Sequence, residues 1–375
     1  MTDTQKVLAE VLLEKCKPTS TQNVELHSRF KRYYVRSKST PFKNTDEDKT
    51  TVLQELYTKV DTVNTLSTVT NNTNRNLIYY TIFLNEEYVD LIELSLQSIF
   101  DTTPNINFDI LFITDEEHKE KILQKPITNN FNCHFHILPT PLSGPRASIH
   151  KLNVFDYTGI DQYEKILFLD CDTVAIRDIN NLFDLVTSSE KLYTGTCKNM
   201  LAQALSTPTH GLMFFTERDA ETIAKNYGRY KPFNAGQFVF FNTERMKGHF
   251  NNVRWLIDNW PGDLFFEQGA MNYYFVINGI STILKTEHDQ SIFTVTYMAL
   301  PPKTTTTKNS VVVTGATYTA CLTSMEDLIK KESIETLMVY PDKESCIVHF
   351  AGSPLGGAKK LEAIKIFLDA RKPQT

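Results

Sequence analysis

From residue 76 onward, short apolar runs alternate with stretches in which apolar residues return every three or four positions. Residues 77–84 (LIYYTIFL) form a continuous run of strand length, the pattern of a strand buried on both faces. Asn85 then stands where a helix N-cap belongs, and Val89, Ile92, Leu96 and Ile99 trace one helix face. Residues 108–113 read as the next strand. Thr114 followed by Glu117 reads as a capping box that opens a charged helix. A third strand is expected at 133–138, a helix around 149–155 and a fourth strand at 165–169. This rhythm predicts an α/β fold, a mainly parallel sheet with flanking helices and right-handed crossovers. Ligands of such sheets bind beyond the carboxyl ends of the strands, so polar groups at those ends are site candidates.

Further along, the rhythm loosens. A strand is expected at 239–242, helices at 243–260 and 265–278, strands at 311–313 and 346–350, and a closing helix at 359–368. The Thr/Lys-rich stretch 303–308 reads as a surface loop. Residues 1–75 are different in kind, polar and without glycine. Val7, Leu8, Val11 and Leu12 mark one helical pattern, and Leu53, Leu56, Val60, Val63 and Leu66 mark another. The second fits a short coiled coil that pairs chains or a helix packed on its own chain, and the commonness of amphipathic surface helices favours the packed helix. Between the two lie Arg29, Lys31, Arg32, Arg36, Lys38 and Lys43, interleaved with Phe30, Tyr33 and Tyr34. A solvated arm is the favoured reading of this charge run over a nucleic-acid contact. The expected organisation is therefore a helical, basic N-terminal extension over residues 1–75 and a main domain over 76–375.

Composition narrows the class. The 375 residues, 41% hydrophobic and 22% charged, suffice for a sizeable core, and the formal net charge of -5 exerts no global pull on nucleic acid. No stretch approaches the roughly 20 apolar residues of a membrane span. The first residues lack the basic start and apolar run of a secretion signal. The six cysteines are scattered and form no CxxC pair. Reduced thiols and a cytoplasmic location are the expectation.

The strongest chemical signal is Lys165-Ile-Leu-Phe-Leu-Asp170-Cys171-Asp172. Apolar residues deliver two carboxylates to the end of a buried strand, and strand alternation would set both on one face. Carboxylates so close repel each other unless a cation lies between them. Hard oxygen ligands suit Mn²⁺ or Mg²⁺, and such an ion would take a diphosphate as its natural load.

Longer stretches carry a resemblance. Ile149-His-Lys151-Leu152, Tyr163 through Val174 with the Asp170-Cys-Asp172 triplet, and Asp178-Ile-Asn-Asn-Leu182-Phe183 resemble the glycogenin-like family 8 glycosyltransferases. Asn85-Glu-Glu-Tyr88 is similar to the family's first loop, which holds the uridine. Phe233-Asn234-Ala235-Gly236 is similar to the strand lead that faces the donor sugar, and Glu267-Gln268-Gly-Ala-Met-Asn272 to the helix start beside the reacting carbon. His349-Phe350-Ala351-Gly352 is similar to the last metal-binding strand. The resemblance spans roughly residues 77–370.

It implies a GT-A fold with a Rossmann-like sheet, a bound Mn²⁺ (Mg²⁺ being the alternative), and a UDP-sugar donor, UDP-glucose or UDP-galactose, whose anomeric configuration is retained. Asp170, Asp172 and His349 would be the metal ligands. Asn85, Tyr88, Arg146, Lys151, Asn234, Gly352 and Lys359 would contact the donor, with Lys360 as the alternative to Lys359 over the diphosphate. Gln268, Glu267 and Lys151 would stand at the reacting carbon. Two departures show: the family has Asp where this chain has Glu267, and its closing Lys-Pro-Trp is replaced by Gly352-Ser-Pro-Leu-Gly356-Gly357-Ala-Lys359-Lys360. The mechanism implied is front-face attack, in which the protein supplies positioning and electrostatics. An inverting transferase with a carboxylate base and a non-catalytic scaffold that binds sugar nucleotide or glycan are the competing readings. The acceptor stays open between protein, glycan and small molecule, and family and symmetry priors point to a homodimer.

Overall fold

The computed structural model describes residues 46–70, 73–195, 233–260, 267–288, 291–297, 303–307, 310–314, 345–351 and 356–369. In chain order the elements are α1 (Asp46–Asn64), β1 (Asn76–Ile82), α2 (Glu87–Thr102), β2 (Phe108–Thr114), α3 (Glu116–Leu123), β3 (Cys133–Ile137), α4 (Gly144–Ile149), β4 (Lys165–Leu169), β5 (Thr173–Ala175) and α5 (Asn180–Asp184). There follow β6 (Leu192–Thr194), β7 (Gln237–Phe241), α6 (Glu244–Asn259), α7 (Glu267–Ile277), β8 (Ser281–Ile283), β9 (Phe293–Tyr297), β10 (Lys303–Thr307), β11 (Ser310–Thr314), β12 (Ile347–Ala351) and α8 (Gly356–Asp369).

The main sheet has seven strands in the order β3-β2-β1-β4-β7-β6-β8. Strands β3, β2, β1 and β4 run parallel, β7 runs antiparallel to both β4 and β6, and β6 pairs parallel with β8. A smaller sheet has the order β5-β12-β9. This mainly parallel sheet with flanking helices is the arrangement expected of a GT-A fold. Strand β1 shows why its sequence reads as an unbroken apolar run: Ile78, Tyr80 and Ile82 enter one core layer, and Leu77 and Tyr79 enter the layer on the other face.

Helix α1 is packed on its own chain. Leu53, Leu56 and Val60 are buried in the layer that also holds Phe250 and Val253 of α6, and Val63 is buried as well. The two helices meet closely at Gly248, where a Cβ would come within 2.9 Å of Val63 Cγ2. Lys59 Nζ lies 4.7 Å from the centre of the Trp255 ring, and the Tyr57 and Tyr273 hydroxyls are 3.2 Å apart. The helix at 7–12 and the basic run 29–43 lie outside the described residues.

Three local expectations are corrected. Helix α3 is capped by Asp115, whose side chain accepts from the His118 amide, and not by Thr114. Thr114 is fully buried, and its hydroxyl donates to the carbonyl of Ile82. Residues 149–155 divide between the end of α4 and a 3₁₀ helix, His150–Asp156, in which the Tyr79 hydroxyl donates to the carbonyl of Lys151. The stretch read as a loop at 303–308 supplies β10, paired antiparallel with β11.

His249, buried on α6, ties that helix to α7. The Asn252 side-chain amide donates to the Tyr274 hydroxyl, which is also hydrogen-bonded to His249 Nδ1 at 3.0 Å. Burial, reinforced by Arg245, lowers the imidazole to about 4. The unfolded chain binds a proton near 6.5, so below that pH the unfolded state gains protons that the folded state refuses. Stability is therefore expected to be complete above about pH 6.5 and to fall by up to about 3 kcal/mol as the pH drops to about 4. Urea midpoints measured across this range check it, and His249→Gln should flatten the slope.

Candidate functional site

Strand β4 delivers its last apolar residue, Leu169, to the rim of the sheet, and the chain then turns sharply through Asp170, Cys171 and Asp172 into β5. The turn closes through the Thr173 amide and hydroxyl, which both donate to the carbonyl of Asp170. It is held from both sides, since the Asp170 amide donates to the carbonyl of Gly236 and the Phe350 amide donates to that of Asp172. The two carboxylates thus converge through a turn, and not through the strand alternation expected from the sequence.

His349 on β12 completes a cluster with them. Ligand atoms of Asp170, Asp172 and His349 lie within 4.8 Å of one another. His349 Nε2 is 3.0 Å from Asp172 Oδ1 and 3.6 Å from Asp170 Oδ2. Its Nδ1 is buried without a hydrogen-bond partner among the described residues. Two carboxylates and an imidazole are a donor set that suits Mn²⁺ or Mg²⁺. The backbone also fits that use: a Cβ at Gly236 would come within 2.2 Å of His349 Cε1 and 2.5 Å of Asp170 Oδ2. The sequence quotes Gly236 within a motif but offers no sign that its missing side chain is what leaves room for the cluster.

Charges around the cluster are arranged in pairs. Lys151, almost fully buried, places Nζ 2.6 Å from Glu267 Oε1 and 3.4 Å from Asp170 Oδ1, and donates to the carbonyl of Ala235 at 3.0 Å. Burial alone would lower its pKa, but Asp170 and Glu267 outweigh that and raise it, so the ammonium stays charged. The other oxygen of Glu267, Oε2, is buried without a partner among the described residues. Lys360 of α8 is bonded to Asp172 Oδ2. Burial pushes the Asp172 carboxyl up, yet Lys360 and His349 more than reverse this and hold it below the usual carboxylate range. For Asp170 burial prevails over Lys151 and His349, and its pKa is raised.

Helix α7 braces the strand lead from the far side. Asn272 is fully buried and holds Phe233 in both directions, accepting from its amide at 2.7 Å and donating to its carbonyl at 2.8 Å. Gln268 Oε1 accepts from the Ala235 amide, and Asn234 Oδ1 accepts from the Gly236 amide. These amides therefore shape the 233–236 backbone. At the rim, Asn85 Oδ1 accepts from the Glu87 amide at the start of α2. Tyr88 stands half exposed within electrostatic reach of Lys360, Asp172 and Asp170. Between β1 and Asn85 the backbone makes a tight γ-turn: Leu84 has φ of 69°, and the Asn85 amide donates to the carbonyl of Phe83 at 2.8 Å.

The structure brings together Asp170, Asp172, His349, Lys151 and Glu267, with Asn234 and Gln268 on adjoining backbone. It does not bring in Arg146, which is 65% exposed on α4 and 3.9 Å from Asp258 of α6. Gly352 and the Lys359 side chain lie outside the described residues, and of the two lysines it is Lys360 that reaches the cluster.

Comparison with known proteins follows this geometry. The model of the family described as Glycosyl transferase family 8 matches residues 79–253. No curated protein matches the chain. Among solved structures, the galactosyltransferase LgtC in complex with donor and acceptor sugar analogs is similar with a TM-score of 0.46 at 13% identity, over 77% of this chain and 95% of that one. The apo structure of WbbM, a bifunctional glycosyltransferase, gives 0.46 at 15% identity, over 79% and 52%. Mouse xyloside xylosyltransferase 1 in its apo form gives 0.38 at 13% identity, over 60% and 87%. The cluster described above begins inside the matched segment, at Lys151, Asp170 and Asp172, and with that match the resemblance read from the sequence is borne out over residues 79–253, which are similar to glycosyl transferase family 8.

Proposed function

We propose that the protein is a retaining, Mn²⁺-dependent hexosyltransferase that moves glucose or galactose from a UDP-sugar to an acceptor hydroxyl. The observation that carries this reading is the convergence of Asp170, Asp172 and His349 at the rim of the sheet, with ligand atoms within 4.8 Å. These three residues would hold the ion, and a divalent cation bound there supplies neutralisation of the diphosphate's charge. The chain's own groups do the rest. Lys151 keeps Asp170 and Glu267 paired in a buried setting where unpaired carboxylates would protonate. Gln268 and Asn234, anchored through their carbonyl oxygens to the 233–236 backbone, have the amide chemistry to bond sugar hydroxyls. Glu267 Oε2, buried and without a partner among the described residues, suits a donor hydroxyl or developing positive charge. Asn85 and Tyr88 at the opening of α2 would receive the nucleoside. On this reading residues 76–375 are the catalytic unit and residues 1–75 an extension, and a homodimer in the cytoplasm remains the working picture. Within the described residues no helix is long and apolar enough to cross a membrane.

The test is release of free nucleotide from a panel of nucleotide sugars with Mn²⁺, with and without EDTA. One UDP-hexose should be turned over, with the rate falling to background on chelation. Absence of release from every donor, together with no metal-dependent thermal stabilisation by UDP, would overturn the reading.

A further inference from the structure

Both oxygens of Asp172 are engaged by the protein's own groups: Oδ1 faces His349 Nε2 at 3.0 Å, and Oδ2 is bonded to the Lys360 ammonium. The lysine is not a surface residue that happens to lie near. Its side chain is 11% exposed, the Asp172 side chain is 10% exposed, and the two come from β4–β5 and α8, far apart in the chain. Asp170 has its own cation, Lys151, which it shares with Glu267. Lys360 is therefore the counter-charge of the second carboxylate, and it stands on the carboxylate that a divalent ion at this cluster would use.

We infer that Lys360 is a built-in placeholder for the divalent cation, which it yields on metal uptake. The inference rests on the reading of Asp170, Asp172 and His349 as the metal ligands. Asp172 is buried and stands beside a second carboxylate, so it needs positive charge before any ion arrives, and the ammonium provides it. Once a divalent ion sits on Asp172, an ammonium on the same carboxylate is repelled by it, so the lysine has to leave. Its stem is long and flexible, so it can leave without moving α8. The released charge remains at the mouth of the cleft, where an anionic diphosphate would meet it. Metal affinity of the resting protein is thus set below what three good ligands would give, because uptake must first break the Lys360–Asp172 bond.

The test uses the full chain and Mn²⁺ alone, without nucleotide. Binding is measured by electron paramagnetic resonance for the unaltered protein, Lys360→Met and Asp172→Asn. Lys360→Met is expected to bind Mn²⁺ at least tenfold more tightly, and Asp172→Asn to lose binding. Equal or weaker binding by Lys360→Met overturns the placeholder role while leaving the metal site standing. No Mn²⁺ binding by any of the three overturns the site reading and the placeholder together. A second measurement needs no variant. Amine-reactive labelling of the unaltered protein, read by mass spectrometry, should rise severalfold at Lys360 when Mn²⁺ is added. Unchanged labelling despite Mn²⁺ binding overturns the exchange.

Discussion

Asp172→Asn is expected to lower donor turnover by roughly a thousandfold, about 4 kcal/mol of transition-state stabilisation. The carboxylate is the most heavily engaged group of the cluster, with His349 on one oxygen and Lys360 on the other. An amide in its place removes the charge and turns one of those two positions into an N–H donor, which faces either an ammonium or an imidazole. Either arrangement leaves one neutral carbonyl oxygen, a weaker ligand for a cation than the carboxylate. The turn itself should survive, because it is closed by the backbone bonds of Asp170, Thr173 and Phe350 and not by this side chain. The measurement is nucleotide release at saturating Mn²⁺, with circular dichroism as the check on folding. A folded variant that keeps more than a tenth of its turnover would remove Asp172 from the reaction.

Replacing Lys151 by Met should cost about 3–5 kcal/mol of stability, because it removes one partner of a buried ion pair and leaves the other charge behind. Lys151 and Glu267 are only 4% and 5% exposed in their side chains, and Asp170 leans on the same ammonium. A drop in melting temperature on the order of 10 °C follows. Two further results identify the cause. The loss should shrink at acid pH, where the orphaned carboxylates can take up protons. It should also shrink in the double variant Lys151→Met/Glu267→Gln, which no longer has the Glu267 charge to strand. If the double variant is no more stable than the single one, the ion pair is not what holds this part of the core.

Much of this was legible in the sequence, for physical reasons that differ between elements. Strands β1, β2 and β4 are covered on both faces, so they leave apolar runs that no helix of that length would show. Strands β5, β6 and β8 have three residues each, too few for any alternation to register. The start of α3 was displaced by one residue because Thr114 and Asp115 both make acceptable caps. What decides between them is the carbonyl of Ile82, which claims the threonine hydroxyl from across the sheet. The paired aspartates stood out by their place after an apolar run, although the turn that joins them did not. The sequence marks Lys360 only as the alternative to Lys359 over the diphosphate, and its pairing with Asp172 and the space left by Gly236 escaped for a shared reason. One acts through a partner on a distant loop and the other through the volume it leaves empty, and local spacing records neither.

The γ-turn at Leu84 has a bearing on any effort to make this protein more robust. A leucine at φ of 69° stays in a conformation that a glycine would adopt without penalty, at a cost of order 1 kcal/mol or more. The residue is 44% exposed, so it returns little of that cost through burial. A screen for heat resistance would therefore be drawn to this position early. Yet the turn sets the direction in which Asn85 and Tyr88 leave the sheet, and a relaxed backbone there would buy durability with a looser lip to the cleft.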